Sequence, residues 1–98
     1  MKVIQDGITF EWDENKEQIN RQKHKIGFTA AIKVFKDENR VEVFDSKHSA
    51  NEDRYLTIGS VDGKLMIITV IYTERENAVR LISARKATRE EREFYYDN

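Results

Sequence analysis

The spacing of apolar residues along the chain changes period several times, and each change predicts an element. Phe10 and Trp12 alternate with Thr9 and Glu11, which predicts a short N-terminal strand. Asp13 is a good helix N-cap, and Lys16 to Lys25 then reads as a helix with Ile19 turned inward and Gly27 ending it. Phe28 leads into a second helix capped by Thr29, in which Ala31, Ile32 and Phe35 form an apolar stripe. Beyond it the pattern is that of strands: Val41 to Phe44, Arg54 to Val61, Lys64 to Thr73 and Val79 to Lys86. Asp62-Gly63 is a two-residue hairpin signal between the second and third of these, and Glu74 to Asn77 forms the next turn. Lys64 to Thr73 is apolar on both faces, as a central strand is. Thr88 followed by Glu91 is a capping box, which opens a last helix ending near Tyr96. Strand, two helices, four antiparallel strands in sequential order and a terminal helix make an α+β domain.

The 98 residues suit a single domain, 1–98, with one core. Without cysteine there is no disulfide framework, thiolate metal site or thiol nucleophile. Asp6 and Gly7 interrupt the N-terminal stretch where a signal peptide needs an apolar run, and Leu65 to Tyr72 is too short to span a bilayer. A cytoplasmic protein that does not engage membranes is therefore expected.

A net charge of −1 argues against a general coating of DNA, yet the basic residues are clustered. One cluster is Arg21, Lys23, His24 and Lys25; the other spreads over Arg75, Arg80, Arg85, Lys86, Arg89 and Arg92, with acidic residues interleaved. Either cluster can be a solvated face or a polyanion site. No helix-turn-helix pattern accompanies them, so DNA contact is expected only indirectly, through a partner complex.

Three stretches carry more than a generic pattern. They are Phe10-Glu11-Trp12-Asp13 with Lys16, Asn20 and Lys23-His24-Lys25-Ile26-Gly27-Phe28; Asp53-Arg54-Tyr55 leading to Ile58-Gly59; and Arg80-Leu81-Ile82-Ser83-Ala84-Arg85-Lys86-Ala87-Thr88 with Arg89, Glu91, Arg92 and Tyr95. In order and spacing they resemble the BrnT family of type II toxins over nearly the whole chain. The resemblance implies a RelE-like fold, here a four-stranded antiparallel meander packed on two N-terminal helices, with a short N-terminal strand and a C-terminal helix. It also implies ribonuclease activity and neutralisation by a BrnA-type antitoxin.

Cutting RNA without a metal uses the substrate's 2′-hydroxyl as nucleophile. The step needs a base, an acid for the leaving oxygen, and cations facing the phosphorane. No cofactor or metal is called for, and neither a Gly-rich phosphate loop nor paired metal carboxylates occur. Closing the Asp62-Gly63 turn opposes Arg54 to Ile71, and a Glu74–Asn77 loop opposes Ile71 to Arg80. Arg54 and Arg80 would then flank Ile71 on one face, roughly 10 Å apart. In a strand without a bulge Arg85 points to the opposite face, roughly 16 Å further along. It is either a catalytic cation or an anchor for Glu91 and the terminal helix.

His24 is the candidate base, the alternative being a helix-terminal cation. His48 reads as a solvated loop residue. The catalytic candidates are thus His24, Arg54, Arg80 and Arg85, and the RNA-contact candidates Lys23, Lys25, Arg75 and Lys86. Tyr55 and Tyr72 can stack on bases or fill the core, and Trp12 reads as core or as a lid over the first helix. The competing function is a non-catalytic toxin-fold module that binds an antitoxin and contributes to operon repression.

Overall fold

Asp6 and Gly7 both take positive φ, 53° and 79°, the geometry a two-residue hairpin turn demands. The turn pairs β1 (Lys2–Gln5) antiparallel with β2 (Ile8–Glu11). These are followed in a computed structural model, which describes residues 1–61, 63 and 66–97, by α1 (Glu14–His24), α2 (Phe28–Ala31), β3 (Val41–Phe44), β4 (Tyr55–Ser60), β5 (Ile67–Arg75), β6 (Ala78–Lys86) and α3 (Arg89–Asp97). The expected Asp62-Gly63 turn and its Val61–Lys64 pair fall on Asp62 and Lys64, outside the described residues.

The architecture is α+β, as expected, but its sheet is larger than a four-stranded meander. The described residues form a six-stranded mixed sheet in the order β1-β2-β6-β5-β4-β3. β3 to β6 pair antiparallel in sequence order, whereas β2 lies parallel to β6. The strand expected at Phe10 to Trp12 is thus the second arm of a hairpin, and β1 was not expected at all. The second helix differs too. Its N-cap is Gly27 rather than Thr29, and after one α-helical turn it tightens into a 3₁₀ stretch at Ile32–Lys36. Ile32 and Val34 are β-branched, which lowers their α-helix propensity, and 3₁₀ runs are short.

One face of the sheet is dry. Phe10, Trp12, Phe28, Ile32, Val34, Ile68, Val70, Leu81 and Ala84 form its core, with α1 and α2 as the covering layer. Tyr72 is buried on this side, its ring 5.6 Å from Tyr55 and 5.3 Å from Phe35, so these tyrosines are packing residues. Trp12 meets Phe28 edge-on at 5.9 Å and donates its Nε1–H to Glu17, which makes it core. Ile19, expected inward, is 61% exposed; the buried residue of α1 is Asn20. Gly59 on β4 has to be glycine, because a Cβ there would lie 2.8 Å from a Val34 methyl.

The other face is covered only in part. Ile58, Ile67 and Ala87 make a small second core under α3, closed by Tyr95. The Thr88–Glu91 capping box is formed, with Glu91 accepting from the Thr88 N–H at 2.8 Å and Thr88 Oγ1 accepting from the Glu91 N–H at 3.2 Å. Further along the sheet this face is open, and the site lies there.

Candidate functional site

A β-bulge decides which side chains reach the open face. Tyr72 opposes Leu81, but Ile71 opposes Ser83, leaving Ile82 as an extra residue in β6. Leu81 and Ala84 consequently both enter the core although they are three residues apart. Arg80, Ser83 and Arg85 are left on the open face, so the expectation that Arg80 and Arg85 point to opposite faces is corrected.

The expected registers are displaced by two residues. Leu56, not Arg54, opposes Ile71, and Arg80 opposes Thr73. The β5–β6 turn has two residues, Glu76-Asn77, because Arg75 pairs directly with Ala78; Glu76 sits at φ 50°. Shifts of two preserve the face, so Arg54 and Arg80 still share it. Arg80 is not among the side chains that line the groove described next. Arg80 Nη1 is bonded to Glu11 Oε2 at 2.9 Å, across the parallel β2–β6 pair.

The open face instead carries a groove of about 430 Å³ lined by Asp45, His48, Arg54, Leu56, Ile71 and Arg85, with Ile82 and Ser83 on its floor. Two further depressions adjoin it. One, of about 380 Å³, shares His48 and Arg54 with the groove and adds Glu52 and Arg75. The other, of about 360 Å³, shares Arg85 and brings in Lys23, His24, Lys25 and Lys86. Apart from Arg80, every candidate lies along this basic track, with Arg85 joining its halves.

Arg54 is a groove cation with spare capacity. It makes no ion pair among the described residues, and its buried Nε has no hydrogen-bond partner. A buried guanidinium N–H without an acceptor is costly, and an anion in the groove would supply one. Arg75, by contrast, reaches Glu52 at 3.2 Å.

Arg85 makes a fork-to-fork pair with Glu91, at 2.6 and 3.0 Å. It is the anchor for α3 and also a wall of the groove. The Glu91 hydrogen bond raises the Arg85 pKa further against the opposing effect of burial. For Glu91, burial alone would push the carboxyl up; Arg85, the Thr88 N–H and the Thr69 hydroxyl more than offset this and hold it at about 2.

His24 is the last residue of α1, and Lys25 follows in the left-handed conformation at φ 64° as C-cap. What brings this helix end to Arg85 is Asn20. β2 pairs with β6 only as far as Arg80, and beyond it the edge of β6 at Ala84 is satisfied by the Asn20 amide. Asn20 accepts from the Ala84 N–H at 3.1 Å and donates to the Ala84 and Ile26 carbonyls at 2.8 Å each. Asn20 stands in one of the motif stretches, but Ile19 is the only apolar residue of α1, so the helix's own pattern did not mark Asn20 as inward.

His48 and Asp45 were also passed over as site residues. His48 Nδ1 lies 2.9 Å from Asp45 Oδ2. Their spacing of three, in a polar segment just before Arg54, suits one helical turn, and Ser46–His48 is such a turn.

The fold and groove define a single-sheet α+β domain with a cation-lined groove on one face. The family profile described as "Ribonuclease toxin, BrnT, of type II toxin-antitoxin system" matches residues 12–91, and the chain belongs to this family. RNA as substrate and an antitoxin as partner follow from that membership at the level of the class. Comparison with curated proteins finds no matching relative. Among the described residues no helix is long and apolar enough to cross a membrane.

Proposed function

We propose that the chain is a metal-independent endoribonuclease of the cytoplasm. It cuts RNA by attack of the 2′-hydroxyl and is neutralised by a BrnA-type antitoxin covering the same basic face. The observation that carries this reading is Arg54, a half-buried guanidinium with an orphaned Nε in the groove it shares with Arg85. A phosphorane gains most from donors fixed in advance in a partly dry site, and bidentate guanidinium–phosphate contacts provide them. Arg54 faces the scissile phosphate, and Arg85 supplies charge from the opposite wall. His24 takes the 2′-hydroxyl proton, while Lys23, Lys25, Lys86 and Arg75 hold the flanking backbone. DNA contact in this reading arises only within the antitoxin complex.

The site is tested by cleavage of a ribo-oligonucleotide by single variants. Arg54→Ala should slow cleavage on the order of 10²–10³-fold, as loss of a preorganised donor does. Arg80→Ala, which breaks only the Glu11 pair, should slow it far less. Equal losses would move the site off the groove.

A further inference from the structure

Breaking a P–O5′ bond requires a second proton transfer, because the leaving alkoxide is a poor leaving group until it is protonated. His24 and the arginines leave that role unfilled. We infer that His48, held by Asp45, is the general acid that protonates the departing 5′-oxygen; this rests on the nuclease reading above.

The placement of His48 is fixed by its turn. The Asp45 N–H donates to the Arg54 carbonyl at 2.8 Å, and the Arg54 N–H donates to Ser49 Oγ at 3.0 Å. Both ends of the turn that carries His48 are therefore tied to the backbone of the residue that faces the phosphate. Asp45 is a carboxylate, so the Nδ1 contact at 2.9 Å is one in which the ring donates. The pair fixes the ring's orientation and leaves Nε2 as the nitrogen that exchanges protons. Asp45 is mostly covered, with 16% of its side chain exposed, whereas His48 is 65% exposed and open to substrate.

The charged groups around the ring are Asp45 on its own turn, Glu52 and Arg54 from the loop, Arg75 from β5 and Arg85 from β6. His24 lies in the depression on the far side of Arg85. In-line displacement needs base and acid on opposite sides of phosphorus, and Arg85 is common to the depression that holds His24 and the groove that holds His48. His24 accepts the 2′-hydroxyl proton, and the 2′-O–P bond forms as the P–O5′ bond breaks. The bonding pair leaves on O5′, which takes the proton from Nε2 of the His48 imidazolium. Solvent then restores both histidines, and no oxidant or metal enters.

The test compares two substrates of one sequence, an ordinary ribo-oligonucleotide and one whose leaving 5′-oxygen is replaced by sulfur. A thiolate leaves without protonation. His48→Asn should therefore slow cleavage of the oxygen substrate about 10²-fold while cleaving the sulfur substrate at nearly the unaltered rate. His24→Ala should be slow on both. Asp45→Asn, which loosens the hold on the ring, should slow cleavage of the oxygen substrate and leave the sulfur substrate nearly unaffected. Equal losses on both substrates for His48→Asn, or no loss on either, overturn the assignment. If the unaltered chain cleaves neither substrate, the nuclease reading itself falls, and the assignment with it.

Discussion

Replacing Glu91 by Gln removes one charge from the junction that joins α3 to the sheet and keeps the side chain's shape. The carboxyl falls from an ordinary value of 4.5 to about 2 in the folded chain. At 1.36 kcal/mol per pKa unit the linkage amounts to roughly 3 kcal/mol. Glu91 and Arg85 are 16% and 30% exposed, so solvent screening brings this nearer 2 kcal/mol. Because the folded value is depressed, the stabilisation is present above pH 4.5 and disappears as pH falls towards 2. Glu91→Gln should therefore be about 2 kcal/mol less stable than the unaltered protein at pH 7, equivalent to roughly 10 °C in Tm for a domain of this size. Urea unfolding at half-unit steps from pH 7 to pH 2 measures both proteins, and the gap between them should close across the window from 4.5 to 2. A gap below about 0.5 kcal/mol at pH 7 lies within the range of ordinary surface substitutions and would refute the reasoning. So would a gap that does not depend on pH.

Asn20→Ala strands the Ala84 N–H and two carbonyls, which should cost about 3 kcal/mol by chemical denaturation; a cost below 1 kcal/mol would mean that water replaces the amide. Tyr95 donates to Asp37 Oδ2 at 2.6 Å, and this bond, with burial second, raises the phenol to about 12. Tyr95→Phe should lose about 1–2 kcal/mol at neutral pH. Since the folded value is raised, that contribution is complete below pH 10 and fades as pH climbs through 12, which a spectrophotometric phenol titration checks.

Local chemistry was legible wherever it depended on adjacent residues. The Thr88–Glu91 box and the antiparallel pairing of β3 to β6 follow from caps, turns and alternation that a few neighbours decide. The Asp6-Gly7 turn carries the same signal as Asp62-Gly63, yet β1 and β2 are so short and mixed in polarity that their pairing depends on β6, far along the chain. The bulge at Ile82 left no local mark, and it governs the site by bringing Arg85 to the face of Arg54. Arg80 kept its face, but it is paired with Glu11 on a strand whose parallel pairing only the tertiary fold creates. His48 looked like a solvated loop residue because its exposure is real; its relation to Arg54 comes from backbone bonds between segments nine residues apart in sequence, Asp45 to Arg54.

The central claim is that the substrate's own 2′-hydroxyl is the nucleophile and that protein cations do the work of a metal. It is tested most directly by incubating the purified chain, in excess chelator, with two oligonucleotides that differ only by a 2′-deoxyribose at the cut site. The all-ribose strand should be cleaved to a 2′,3′-cyclic or 3′-phosphate product, while the deoxy strand binds and stays intact. Cleavage of the deoxy strand, or cleavage only after a divalent cation is restored, would contradict the account.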